Sequence, residues 1–519
     1  MQSNLTPGGD LPPRPEPESY SLEEMMRRLK ERGHDDGELI IRADGTQALK
    51  VKKRKRRSNQ PHKEEQKRAQ QLRLIQLAIV FVVFSGLVAA MAGLLFYYNS
   101  SAYREGIRGK LAACTAADVD MSDFSITPAK ATCASTSFTW PEGNYLRGLQ
   151  LASTVAHLEL ASFVGKKWGG NAVVANSGSL SFSNCVVGKP KRGQTEAKTT
   201  GFPFEFTNYR CEKLLITGLA EDKKPWLSVE STESTLIKTV KGSETRFVGG
   251  LMKIRGFHPM KLDRGTINFE SGQMNISSLR CIPVDQEFGQ LDIKNSVDLY
   301  GGKNSVLELA LNEFPLRVLM GDGMDVVMGG CVNTSTEVVS RVLSFTPGDY
   351  GSYKISIGFS GCKKDPLNFK GFPFLSELSR ELQGQQYVDN FVFEDAAAGE
   401  LIRTATEVRL RALHLESKNQ FVIKGEVILK DGQFSGQLNV GLGLSLLADP
   451  QSNKKLRAVF ANQSEGYGWC QITLSGTPAM AEDNFATLLK QSVANNAAAV
   501  RPEKAASGSP SIEEELGNE

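Results

Sequence analysis

Apolar residues follow two patterns along this chain, and the patterns divide it. Leu77–Tyr98, LAIVFVVFSGLVAAMAGLLFYY, is an apolar run without a single charge. As a helix rising 1.5 Å per residue it reaches ~33 Å, enough for a bilayer core of ~30 Å. From Cys114 to Pro478 apolar and polar positions instead alternate with period two, broken by glycine-containing turns. That is the signature of half-buried strands. The clearest unit is Phe421–Leu444, FVIKGEVILKDGQFSGQLNVGLGL. With Asp431-Gly432 as the turn, Leu429 faces Phe434, Val427 faces Gly436, Gly425 faces Leu438, Ile423 faces Val440 and Phe421 faces Leu442. Every member of that face is apolar or glycine, whereas Lys424, Glu426, Gln437 and Asn439 share the other. Arg264–Leu279 repeats the pattern, with Ser271-Gly272 turning, Phe269 opposite Met274 and Ile267 opposite Ile276.

Helical spacing is confined to short stretches. It predicts a helix over Tyr103–Ala116 continuing from the membrane run, one over Phe374–Leu382 with Leu375, Leu378 and Leu382 on a stripe, and a terminal one over Ala481–Asn495. Near the start, Ser21-Leu22-Glu23-Glu24 reads as a capping box, Leu22, Met25, Met26 and Leu29 as a stripe, and Gly33 as a stop. Glu38–Val51 reads as a hairpin turning at Asp44-Gly45 in a type I′ turn. The expected fold is mainly β: a curled antiparallel sheet, taco- or sandwich-like, with a few short helices and one preceding transmembrane helix. The expected organisation is a partly disordered basic arm (1–73), a transmembrane helix (74–98), an N-terminal β region (99–260), a C-terminal β region (261–496) and a disordered tail (497–519).

A sheet with one continuous apolar face must bury it. Two ways remain open: a second sheet packs on it, or the sheet curls around something apolar that is not protein. On the second reading Phe421, Ile423, Val427, Leu429, Phe434, Leu438, Val440 and Leu442 would line a lipid groove.

Charge changes the picture mainly by placing the chain. The whole has 61 Lys+Arg and 58 Asp+Glu. Residues 1–73 hold 17 basic and 12 acidic residues, so the net +3 divides into +5 there and −2 beyond. Lys50–Arg57, KVKKRKRR, concentrates the excess just before the apolar run. Positive-inside logic puts 1–73 in the cytoplasm and the rest across the membrane. The same run suits anionic lipid headgroups. It has no interleaved aromatic or reader module, so nucleic acid is not expected as a partner. Gly86-xxx-Ala90 and Ala89-xxx-Gly93 carry the small-residue spacing of associating membrane helices.

All eight cysteines follow the apolar run, which in an exported domain favours disulfides. Local bridges Cys114–Cys133 and Cys185–Cys211 are the expected pairs, with two or fewer free thiols overall. Buried free thiols are the alternative. Catalytic and metal signals are absent. His157, His258 and His414 lack ligand spacing, and no CxxC pair occurs. Gly358-Phe359-Ser360-Gly361-Cys362 has Cys where a nucleophile elbow needs Gly, and Gly441-Leu442-Gly443 lacks the third glycine of a dinucleotide loop. Val164-Gly165-Lys166-Lys167 lacks phosphate-loop spacing, and the adjacent acids Glu394-Asp395 would point opposite ways in a strand. Asn275, Asn333 and Asn462 begin formal N-x-S/T sequons. No cofactor and no enzymatic activity are expected.

Two stretches carry a family resemblance. Phe138-Thr139-Trp140-Pro141-Glu142-Gly143 followed by Leu146–Ser183 resembles the opening strands of bacterial AsmA-like envelope proteins. Phe372–Leu382, Phe391–Leu444 and Cys470–Pro478 together resemble the AsmA-like C-terminal region. The resemblance implies an inner-membrane-anchored periplasmic protein with a taco-like sheet, acting in phospholipid transfer or envelope biogenesis, with envelope proteins as possible partners. It brings no catalytic residues. The alternative is a structural or interaction protein of the envelope with a closed sandwich core.

Overall fold

The alternation becomes one long ladder of strands in the computed structural model. The structure describes residues 22–31, 37–51, 60–159, 168–183, 204–220, 222–240, 242–270, 272–299, 304–337, 340–347, 349–382, 391–448 and 454–499. Ser21, Gly33, Arg54 and Cys185, the 1–19 segment and the tail beyond 499 therefore lie outside it. The chain divides into two units, 1–90 and 91–519.

The first unit holds a helix, Leu22–Glu31, a hairpin of Gly37–Ile41 with Gln47–Val51, and most of a long helix, Gln60–Tyr98. The hairpin corrects the two-residue turn. Ile41 pairs with Gln47, Arg42 and Thr46 close the loop, and Gly45 takes a left-handed φ of 81°. Asp44 accepts hydrogen bonds from the Thr46 N–H and hydroxyl, which favours the wider loop. Glu65–Tyr98 is the one helix among the described residues long and apolar enough to cross a membrane, and its most apolar window is not buried against protein.

In the second unit a new helix, Ser101–Thr115, starts after a break at Asn99-Ser100 rather than continuing the long one. Ser100 caps it, accepting from the Tyr103 N–H, and Ala116 ends it in a left-handed conformation. Asn99 fixes the break: its side chain donates to the Ile126 carbonyl at 2.9 Å and accepts from the Ile126 N–H at 2.8 Å. Tyr98 packs edge to face on Tyr103 and on Trp168 beside it, with ring centroids 4.9 Å apart in both cases.

The ladder then runs from Asp118–Ser122 to Met480–Asp483. Sheet neighbours are antiparallel throughout, except Trp168–Ser183 and Phe204–Leu219, which run parallel. The ladder closes only locally, where a broken strand pairs in two pieces, as Ser243–Val248 and Leu251–Ile254 do between the same two neighbours. Among the described residues no pairing joins the first strand to the last. The ladder passes without interruption through residues 260–261, the expected boundary between two β regions.

Both hairpin registers agree with the alternation. Phe421–Lys430 and Gln433–Gly443 pair as Leu429 with Phe434, Ile423 with Val440 and Phe421 with Leu442. Phe269 pairs with Met274 and Ile267 with Ile276. Insertions between later strands form a second layer over the inner face. They comprise the helices Leu316–Met320, Pro373–Glu381, Lys454–Val459 and Phe485–Ala499, and a small sheet of Met328–Gly329, Leu367–Phe369 and Phe391–Phe393. The last helix begins four residues later than expected because Met480–Asp483 is an edge strand on Tyr467–Thr477. Asp483 explains the stop: its carboxylate accepts the Phe374 N–H at 2.6 Å and the Phe485 N–H at 3.0 Å, capping two helices at once.

Candidate functional site

The eight residues expected to line a groove are packed against protein instead. Phe421, Ile423, Val427, Leu429, Phe434, Leu438, Val440 and Leu442 are all buried in the main core. Phe372 reaches Phe434, with ring centroids 5.3 Å apart, and Phe391 and Phe393 cover Phe421 at 5.4 and 6.0 Å. Helix Pro373–Glu381 adds Phe374, Leu375 and Leu378 to the same core. Among the described residues, these eight are covered by the chain itself.

The cavity lies elsewhere on the same sheet. It measures about 250 Å³ and draws its walls from Phe182 and Trp226 on one side and Leu343 and Tyr353 on the other, with Leu291 and Leu309 between them. Following the ladder from Trp168–Ser183 to Asp349–Gly361 takes nine steps. On a flat sheet at ~4.8 Å per strand those ends would stand about 43 Å apart. Their meeting around one small cavity requires the sheet to curl. Strand Ser305–Asn312 shows how its wall is built: Leu307, Leu309 and Leu311 point in and are buried, while Val306 and Glu308 point out and are exposed.

Polar atoms enter mainly at the edge, from Ser183, Thr346 and Asp349. The Tyr353 hydroxyl is committed, donating to the Thr404 carbonyl at 2.9 Å. Phe257 and Leu319 form one corner. Behind Phe257 stands Arg403, whose guanidinium carbon lies 3.8 Å from the ring centroid.

No family model, curated protein or solved structure matches this chain.

The sulfur chemistry also departs from expectation. Cys331 and Cys362 form a disulfide pair with Cα atoms 5.6 Å apart, joining Cys331–Thr334 to the end of Asp349–Gly361. Cys133 and Cys211 are buried, unbridged thiols, so neither Cys114–Cys133 nor Cys185–Cys211 forms. Cys281 and Cys470 are buried thiols too, and burial pushes both up to about 12. Four buried thiols exceed the two expected. Each sits on an apolar face where a thiol packs as a small hydrophobe.

A second depression of about 660 Å³ lies on the outer face, among His414, Lys424, Glu426, Gln437, Asn439 and Gln471. It is shallow and polar. His414 is a strand residue with Nε2 3.3 Å from a Glu416 oxygen. His157, His258 and His414 are not brought together in a metal-binding group, and no such group occurs among the described residues. Asn275, Asn333 and Asn462 all lie in strands. Sequence reasoning missed the cavity residues as a set. The alternation in Leu291–Ile293 and Leu307–Leu309 was visible, but nothing in it separates a strand that faces a cavity from one that faces a helix.

Proposed function

We propose that this protein holds an apolar chain of a lipid in the cavity between Trp226 and Leu343, as a membrane-anchored, non-catalytic protein of the cell envelope. The observation that carries the reading is the cavity itself, lined by the inward side chains of a curled sheet and almost wholly apolar. Ligand sites are concave and mostly apolar with a few polar groups at fixed points, typically ~300–1,000 Å³. At about 250 Å³ this one suits part of one acyl chain rather than a two-chain lipid. The long apolar helix supplies a membrane anchor. The basic run before it favours a cytoplasmic N-terminus and a β domain on the far side, periplasmic in a bacterial cell. The likeness of the strand pattern to AsmA-like proteins points the same way, to phospholipid handling or envelope assembly.

The test is extraction and mass spectrometry of lipid from the full chain, beside Leu343→Trp. Leu343 is half-buried on the cavity wall, so the indole takes up the cavity without opening the packed core. Stoichiometric lipid on the parent and its loss from the folded variant is the expected result. A parent without lipid would refute the reading and favour the structural alternative, a scaffold of the envelope. The filled core behind Phe421–Gly443 is what supports that second reading.

A further inference from the structure

Arg403 is a buried cation on the inner face whose partners among the described residues are two backbone carbonyls and one aromatic ring. It follows Leu401 at strand spacing on Ala396–Arg403, so its side chain points inward with the apolar set. Its ladder partner is Ile355, a wall residue of the cavity. Only 6% of it is exposed, and no carboxylate pairs with it among the described residues. Nη1 donates to the Leu319 carbonyl at 2.6 Å and Nη2 to the Gly256 carbonyl, while the buried Nε has no partner. Asp322 and Asp325, on the loop after Gly321, stand 3.8 and 3.6 Å from His258.

The surroundings are shaped around that guanidinium. Gly256 and Gly321 both have positive φ, 83° and 69°. A Cβ on Gly321 would fall 2.1 Å from the Gly256 oxygen and 2.7 Å from Nη1. The niche therefore exists because neither position carries a side chain. A buried cation with no counter-ion is costly, and the two carbonyls it donates to leave its charge without an opposite charge among the described residues. Between the cation and the cavity stands the Phe257 ring, which touches both.

We infer that Arg403 receives the acidic headgroup, carboxylate or phosphate, of an amphiphile whose chain occupies the cavity. The inference rests on the cavity reading above and adds the headgroup class. The Phe257 ring turns aside, and its cation–π contact is exchanged for charge-assisted hydrogen bonds from the guanidinium, including the idle Nε. The acyl chain then runs along Leu309 and Leu343.

The full chain, held in amphipol, is titrated with palmitate and with the uncharged hexadecanol, read by displacement of the neutral fluorophore N-phenyl-1-naphthylamine. Palmitate is expected to bind at least about tenfold more tightly. Arg403→Gln should bring the two within about twofold. Equal affinities in the parent, or a preference that survives in the variant, would overturn the inference. Should Arg403→Gln fail to fold, the parent's preference and its retention by Arg403→Lys decide the matter, and loss in the lysine variant counts against a charge-based site. If about 10 mM inorganic phosphate abolishes the palmitate preference without displacing the fluorophore, the niche is for a free anion and the lipid source is overturned. A parent that takes up neither fluorophore nor amphiphile refutes the cavity reading itself, which is a different failure from equal binding of both.

Discussion

The strands between Pro225 and Ile355 and those between Ala396 and Thr477 share one alternation, yet they meet different things on their inner faces. In the first region the wall of Leu291, Ile293, Leu307, Leu309 and Leu343 looks into a cavity. In the second, Leu401, Leu410, Ile423, Val427, Leu438 and Ile472 look into a filled core. The difference lies in the connections. From Pro225 to Asn312 the strands are joined by short segments that contain no helix among the described residues. After Asn312 short turns at 404–406, 418–420 and 431–432 remain, but longer links carry helices back over the sheet: Leu316–Met320, Pro373–Glu381 with its small three-stranded sheet and Lys454–Val459, followed after the last strand by Phe485–Ala499. A sheet face is closed by what the loops carry back to it. Where they carry nothing, the curl of the sheet must do the covering, and it leaves a gap.

The sharpest way to break this comparison is to place one charge on each face. Val427→Asp buries a carboxylate with no partner in the filled region, at a cost of several kcal/mol against a total stability of ~5–15 kcal/mol. Thermal melting should show the cooperative transition of the β domain lost or greatly lowered. A normal melt would mean that the core over the 421–443 hairpin is not closed.

Next in size is the disulfide. Replacing Cys331 and Cys362 together by Ser releases a link across a sequence separation of 31. The loss should be about 3–4 kcal/mol, seen as a lower denaturation midpoint. Because the pair staples the filled region, uptake of an apolar fluorophore by the cavity should persist in the folded variant. Loss of uptake at full folding would show that the two regions are coupled.

Ile293→Asp is the counterpart of Val427→Asp on the cavity side. Ile293 is half-buried, so its carboxylate can keep some water, and about 1–2 kcal/mol is the expected cost. Fluorophore uptake, by contrast, should vanish. Equal destabilisation by the two aspartates would erase the distinction between the regions.

The smallest effect concerns pH. Burial alone would raise Glu400, but hydrogen bonds from Arg411 at 2.6 Å and Ser356 at 2.7 Å outweigh it and hold the carboxyl below its ordinary value of 4.5. A depressed folded-state pKa stabilises above the unfolded value, and that stability fades as pH falls through the folded one. With Arg411 half exposed, about 1 kcal/mol is at stake. Glu400→Gln should therefore flatten the stability profile below pH 4.5 and lower the plateau above it. An unchanged acid limb would remove Glu400 from the account.

Much of this was legible in the residues. The register of the 421–443 hairpin follows from Asp431-Gly432 and a period of two, because a slip of one position would send Ile423 and Val427 to water. The helix near 374–382 follows from its leucine spacing. The cysteine pairing was not legible: Cys331 and Cys362 meet because their strands are ladder neighbours, while Cys133 and Cys211, each near another cysteine in sequence, sit on apolar faces as unbridged thiols. Arg403 carried a signal that was missed, an arginine at the inward parity set by Leu401.

The sequence by itself determined the membrane-length helix, the strands, which side of each strand is apolar, and the tight turn at Asp431-Gly432. Those depend on interactions within a few residues: an unbroken apolar run, a period of two, a glycine at positive φ. Only the tertiary structure decided which apolar face is packed and which borders a cavity, and it moved the proposed ligand site from the 421–443 hairpin to the wall around Leu309. The physical reason is that burial depends on the partner surface as well as on the face itself. Val427 and Leu309 both present an apolar side chain to the inner side of the same sheet, and Leu309 borders the cavity while Val427 does not because of what the chain, tens of residues away, brings back to cover each region.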